Sequence, residues 1–355
     1  MFDFFEKQKR RILGFLEREL TTTGDPLARV NRFGAEALKL LLEFTRRGKM
    51  IRGGLVGVGY ALFRDGESDS AAACGAALEL LQSALLIHDD IMDRDLVRRG
   101  EKTIPARYAD EACARGLAEP EHIGEALGTC LGDIGFFLAF RILGEMDAPQ
   151  TVVPRLVALF AREMTFVGAA QMLDVWAGAE KPAERGLTEE EILDLYRYKT
   201  GRYTFALPLA AGALLAERED VAPPLEAIGE DLGVIFQIKD DALDLFGEER
   251  AIGKPVGSDL REGKQTLLLA GLARALDGSE KKRFFSLWGK AGLTPAEIAE
   301  VRDLVRGRGL LERAAETVDD LAGRCRRSIE ALDLPRPEKR GTLEQLLEYS
   351  LGRTR

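Results

Sequence analysis

The chain has 355 residues, of which 46% are hydrophobic and 31% charged, with a net charge of −9; this balance fits a globular core and excludes extended disorder. Acids and bases are mixed along it, which leaves no basic arm or stripe for nucleic acid. Four scattered cysteines without CxxC spacing and only two histidines leave no zinc motif and no Ser-His-Asp set. They point to reduced thiols in a cytoplasm, and to chemistry carried by carboxylates, cations or the substrate itself.

In chain order, MFDFFEKQKRRILGF mixes charge with apolar residues where a signal peptide needs an apolar core, and its spacing predicts an amphipathic helix. Gly48-Lys49-Met50-Ile51-Arg52 is a first basic turn. Leu78, Leu81, Leu85, Met92 and Leu96 then share one side of a helical period. Within that run, Leu85 to Asp93 (LLIHDDIMD) carries Asp89, Asp90 and Asp93, and Arg98-Arg99-Gly100 follows. Glu180 to Glu191 predicts a surface loop that enters a helix through Thr188 as N-cap. Tyr198-Lys199-Thr200-Gly201-Arg202 is a further basic run.

Phe205 to Ala216 is an apolar stretch of about a dozen residues containing Pro208. Spanning a bilayer takes about twenty, so it predicts a buried core helix and no membrane span. Ile228, Leu232, Ile235 and Phe246 again share one helical side, and this segment carries Asp240, Asp241 and Asp244. Gly253-Lys254 through Lys264 to Thr266 is basic and glycine-containing. Its Gly257 to Gln265 portion fails as a P-loop, with the wrong glycine spacing, Gln265 where a hydroxyl belongs, and no preceding strand. Leu334-Pro335-Arg336-Pro337 breaks the chain before a last short helix. Strand alternation is hard to find and no repeat is evident, so the expectation is an all-α fold of ten or more helices in one domain, residues 1–355.

The two acidic clusters share the pattern Asp-Asp-x-x-Asp, 151 positions apart. Positions i and i+4 lie on one helix face, so Asp89 with Asp93, and Asp240 with Asp244, each project together; Gln82 and Gln237 extend the two polar stripes. Two carboxylates about 4 Å apart repel by roughly 4 kcal/mol at an effective dielectric near 20, and cations are the natural compensation. Oxygen-only ligands select a hard ion, and Mg²⁺ takes one or two carboxylates plus water and phosphate oxygens. Either cluster alone reads equally well as a solvated helix face; two matching copies in apolar surroundings favour a magnesium-diphosphate site. Each is followed by a basic, glycine-containing turn suited to phosphate.

These motifs, in order from Gly48 to Thr266 and including Gln171-x-x-Asp174 and Lys199-Thr200, resemble those of the trans-isoprenyl diphosphate synthases. The resemblance implies an isoprenoid-synthase fold, a single large helical bundle around a deep central cavity with the two aspartate motifs facing each other across its mouth, in a homodimer. It implies Mg²⁺ bound principally by Asp89, Asp93 and Asp240, with Asp90, Asp241 and Asp244 helping directly or through water. Arg98, Lys199, Thr200, Gln237, Lys254 and Lys264 would hold the allylic diphosphate, and Lys49, Arg52, Gln82 and Arg99 isopentenyl diphosphate. Lys199 and Lys254 would join the aspartates as catalytic residues, and Arg353 and Arg355 resemble a basic tail that helps close the site. One departure is Gly53, where the family usually has proline.

The implied reaction is a head-to-tail condensation. Leu85, Ala84 and Leu81, one and two helical turns before the first cluster, would form the floor on which product length depends, one turn rising about 5.4 Å. None is aromatic, in contrast to the farnesyl-type pattern, which points to geranylgeranyl diphosphate (C20), with C15 or C25 as alternatives. A class I terpene cyclase and a non-catalytic subunit of a heteromeric synthase are the competing readings.

Overall fold

The computed structural model describes residues 2–180, 186–247 and 256–352. Helices make up most of the described chain, as expected, and its contacts divide it into two compact units. The first comprises Met1–Leu159 with Pro208–Glu219, the second Phe160–Leu207 with Asp220–Arg355.

The first unit begins with α1 (Phe2–Ala28), whose Ile12, Leu16 and Leu20 recur every fourth residue and are buried, the amphipathic helix expected there. Asn31 caps α2 (Arg32–Arg46) by accepting from the Phe33 N–H. After α3 (Ile51–Ala61), Ser68 caps α4 (Asp69–Met92) through the Ala71 N–H. Every residue of α4 from Ala71 to Ala84 is buried. It is therefore a central helix enclosed on all sides, and the one-sided stripe expected from Leu78 to Leu96 does not describe it. The stripe fails at its far end too, because α4 stops at Met92 and Leu96 lies beyond it, 71% exposed.

The chain next forms a hairpin that an all-helical reading misses. Strands β1 (Val97–Arg98) and β2 (Glu101–Lys102) pair antiparallel, with Arg98 opposite Glu101. Arg99 and Gly100, the two residues between them, both have positive φ, at 54° and 77°, the backbone that a tight two-residue hairpin requires. Helices α5 (Ile104–Ala114) and α6 (Pro120–Glu145) follow, and α6 packs along α4.

Helix α7 (Val153–Ala179) passes into the second unit. There α8 (Glu189–Leu195) starts at the expected Thr188, in a full capping box with Glu191. A π-helix, Tyr196–Ala206, continues from it and runs into α9 (Leu207–Leu215), so Phe205 to Ala216 is buried as expected. Helix α10 (Ala222–Phe246) lies against the π-helix at two glycines: a Cβ on Gly229 would come 2.4 Å from Ala206 Cα, and one on Gly233 would come 2.1 Å from Gly201 Cα. Beside them Arg202, 11% exposed along its side chain, reaches three carboxylates, those of Glu163, Glu226 and Glu230. Shorter helices complete the unit, ending with Arg340–Leu351 after the break at Pro335 to Pro337.

Among the described residues three helices, α4, α6 and α7, are long and apolar enough to cross a membrane by length and composition, a feature that the Phe205 to Ala216 reading overlooked. In α4, 83% of that apolar window is buried by the fold; in α6 and α7 the shares are 44% and 33%. Exposed apolar side chains on these helices include Phe137 on α6 and Met172 and Trp176 on α7.

Candidate functional site

The first aspartate cluster occupies the C-terminal end of α4. Asp89 is half-buried, Asp90 is fully buried, and Asp93 is the C-cap, its N–H returned to the Asp89 carbonyl at 2.8 Å. The hairpin brings Arg98 back onto them. Its guanidinium donates to Asp90 Oδ1, to Asp89 Oδ2 at 3.4 Å and to Asp95 Oδ2 at 3.3 Å. Burial works against the Arg98 charge and the three carboxylates outweigh it, raising its pKa. Burial also pushes Asp90 up to about 6 despite Arg98. Sequence reasoning missed Asp95, whose proximity depends on the turn that ends α4.

Among the described residues no three His, Cys, Asp or Glu side chains form a ready-made metal cage. The first cluster nonetheless suits a hard cation. Asp90 Oδ2 is buried with no hydrogen-bond partner, and every side-chain donor in the cluster is a carboxylate oxygen.

The remaining basic candidates of this unit gather around the turn before α3. Lys49 is exposed and Arg52 half-buried; Met50 between them is held at φ 54°. The same turn lies beside Arg99, whose guanidinium would be 3.6 Å from a Cβ on Gly48. Burial, then the neighbouring Arg98, lowers the Arg99 pKa. Gln82, on the preceding turns of α4, is buried, and its Oε1 has no hydrogen-bond partner. His88 packs edge-on against Phe136 and sits 3.2 Å from the Thr129 carbonyl, over Gly132 of α6.

In the second unit, Asp240 is half-buried while Asp241 and Asp244 are buried. Asp241 accepts from the Tyr196 hydroxyl and, at 2.7 Å, from Gln237 Nε2. Burial, then the Asp259 carboxylate, holds its pKa well above the usual range. Asp244 accepts from Ser258 Oγ and from the Asp259 N–H at 3.1 Å. Both carboxylates are thus engaged by protein donors. Tyr196 and Ser258 were not singled out from the sequence, since each meets its aspartate only through the fold. Tyr196 also accepts the Leu267 N–H at 2.7 Å, tying the π-helix to the helix Leu267–Ala275.

Lys199, on the π-helix, pairs with Asp174 of the Gln171-x-x-Asp174 motif. Thr200 is half-buried beside it. Lys264 pairs with Glu262 at 2.7 Å. Lys254, Arg353 and Arg355 lie outside the described residues. Of the product-length candidates, Leu81 and Ala84 are fully buried and Leu85 half-buried. Ala84 faces α6, where its Cβ would be 3.2 Å from a Cβ on Gly135.

The family model for polyprenyl synthetase matches residues 36–305. The chain is 32% identical over 260 residues to a short chain isoprenyl diphosphate synthase of Methanocaldococcus jannaschii, covering 73% of this chain and 72% of the relative. It is 31% identical over 266 residues to a geranylgeranyl diphosphate synthase of Sulfolobus acidocaldarius, covering 74% of each. The fold matches a crystal structure of geranylgeranyl pyrophosphate synthase from Corynebacterium glutamicum complexed with isoprenyl diphosphate and magnesium, with a TM-score of 0.86, 27% identity and 98% of both chains covered. Paired aspartate motifs, each with cationic or hydrogen-bonding side chains around it, on an all-α fold of this type accord with that match: the chain belongs to the polyprenyl synthetase family and is a prenyltransferase.

Proposed function

We propose that the chain performs an Mg²⁺-dependent head-to-tail condensation of isopentenyl diphosphate with an allylic diphosphate, giving geranylgeranyl diphosphate (C20) as the main product. The observation that carries this is the first aspartate cluster, where Asp90 keeps a buried oxygen without a hydrogen-bond partner while Arg98 offsets only part of the charge of the three carboxylates around it. Asp89, Asp90, Asp93 and Asp240 would hold the metal, with Asp241 and Asp244 orienting the second cluster. Bound Mg²⁺ would offset the negative charge that builds on a departing diphosphate. Arg98, Lys199, Thr200, Gln237, Lys254 and Lys264 bind the allylic diphosphate, and Lys49, Arg52, Gln82 and Arg99 bind isopentenyl diphosphate. The apolar wall of α4 excludes water from the allylic cation, and its electron-poor carbon is attacked by the isopentenyl double bond. No side-chain base is needed for the final proton loss if the released diphosphate accepts the proton.

The test is to incubate purified protein with isopentenyl diphosphate and each allylic primer, with Mg²⁺ or with excess chelator, and to size the products. Condensation is expected with Mg²⁺, and chelation is expected to remove it by at least about a hundredfold. Undiminished turnover in chelator, or no isopentenyl consumption with any primer, would reject the proposal.

Product length follows from Leu85, Ala84 and Leu81, along which the tail would extend away from Asp89. Leu85→Phe is expected to shift the main product from C20 toward C15. Ala84→Phe is expected to do the same at greater cost in stability, since the ring must displace α6 at Gly135. An unchanged product spectrum in both variants would move the floor to another helix. We also propose a cytoplasmic location and a homodimer, and the exposed apolar side chains on α6 and α7 support the homodimer.

A further inference from the structure

The turn carrying Lys49 and Arg52 lacks the rigid residue that the family's usual proline would provide. At Gly53 the chain instead has an N–H, and it donates at 2.8 Å to Glu79 Oε1. A proline at that position would have no hydrogen to donate. Glu79 lies on α4, 5% exposed, one helical turn before Gln82. The approach is close from both sides: a Cβ on Gly53 would stand 2.7 Å from Ile12 Cδ1 and 2.9 Å from the Gly75 carbonyl oxygen.

The other end of the turn is held as well. Lys9 of α1 donates to the Gly48 carbonyl at 3.0 Å. Between these two ties lies Met50, in a left-handed conformation that a non-glycine residue adopts only when its surroundings impose it. Burial raises the Glu79 pKa, against the Gly53 hydrogen bond and the opposing fields of Arg52, Arg99 and Lys9. Ser83, one turn further along α4, bonds the Glu79 carbonyl at 2.8 Å and Thr45 Oγ1 at 2.7 Å, which fixes α2, just ahead of the turn, to the same helix.

We infer that Glu79 is a positioning residue: by accepting the Gly53 N–H it fixes the 48–53 turn against α4, with Lys9 fixing the turn's start, so that Lys49, Arg52, Arg99 and Gln82 present one preformed site for a diphosphate. This rests on the assignment of those four residues to isopentenyl diphosphate. Glu79 is enclosed and touches no substrate; its effect passes through the backbone of the turn.

The experiment compares Glu79→Met, which fills similar space but accepts no hydrogen bond, with Glu79→Gln, which still offers a carbonyl oxygen to Gly53, and with Lys9→Met. KM for isopentenyl diphosphate, KM for the allylic primer, and Kd for inorganic diphosphate by calorimetry without Mg²⁺ are measured on each folded protein. Glu79→Met is expected to raise the isopentenyl KM by about tenfold or more, with the allylic KM unchanged, and to weaken inorganic diphosphate binding. Glu79→Gln is expected to stay close to wild type. Lys9→Met is expected to raise the isopentenyl KM by a few fold, and it serves as the deciding variant should Glu79→Met not fold. An unchanged isopentenyl KM in Glu79→Met, equal rises in both KM values, or a glutamine variant as impaired as the methionine variant would overturn the assignment; so would an unchanged Lys9→Met where that variant decides. If the wild type consumes no isopentenyl diphosphate, it is the prenyl-transfer reading that fails, and the calorimetric comparison still decides the part played by Glu79.

Discussion

Asp89→Ala is expected to lower the condensation rate by about a hundred- to a thousandfold while leaving the unfolding midpoint nearly unchanged. The two halves of this expectation have separate causes. Asp89 is partly exposed at the end of α4, and its ion pair to Arg98 spans 3.4 Å. Arg98 keeps its tighter contact to Asp90 and its contact to Asp95 when Asp89 is gone. The fold therefore loses little, as is usual for partly exposed positions. The proposed chemistry loses a carboxylate that would fix the metal and the leaving diphosphate, a contribution realised as charge develops in the transition state. Product formation from labelled isopentenyl diphosphate, beside circular dichroism melting, measures both halves. Near-wild-type turnover in a folded Asp89→Ala protein would remove Asp89 from the reaction.

The second large effect concerns stability. Arg202→Met is expected to cost about 3–5 kcal/mol, read as a lower midpoint in urea unfolding. Glu163, whose side chain is only 1% exposed, receives two guanidinium hydrogen bonds from Arg202, at 2.8 and 2.7 Å. Removing the cation leaves that carboxylate buried, with Arg162, at 2.8 Å, as its remaining cation. The cost comes from buried carboxylate charge left with too little compensation, since Arg162 is shared with Glu226, more than from a lost attraction. For that reason Arg202→Met combined with Glu163→Met is expected to recover much of the loss. A double variant no more stable than Arg202→Met would show that the guanidinium acts through its packing, including its stacking 5.5 Å from the Phe166 ring centre.

Local rules made much of the fold legible. Thr188 three residues before Glu191 announces a helix start, and the buried run from Phe205 announces a core helix, because both signals are written within a few neighbouring residues. The aspartate motifs are legible for the same reason. What escaped needed distant partners. Nothing near Tyr196 indicates that its hydroxyl meets Asp241, 45 positions away, and nothing near Glu79 indicates Gly53. The hairpin at Arg99 and Gly100 was overlooked because strands of two residues carry no alternation to detect. The stripe from Leu78 to Leu96 misled because a helix enclosed on every side has no single apolar face. The π-helix escaped as well, since its Tyr-Arg-Tyr-Lys-Thr-Gly-Arg sequence reads only as a basic run.

The contact between the π-helix and α10 is unequal in what it tolerates. Alanine at Gly201 would bring a Cβ 3.3 Å from Gly233 Cα, a crowding that a few tenths of an ångström relieves. Alanine at Gly233 would bring it 2.1 Å from Gly201 Cα, which only movement of a backbone can relieve. Thr200 precedes the first glycine, and Gln237 lies one turn beyond the second. The spacing between these two proposed diphosphate contacts is therefore set by main chain resting on main chain. In a saturation library, position 233 would act as a distance gauge: variants there would change how far apart Thr200 and Gln237 stand while leaving both side chains intact.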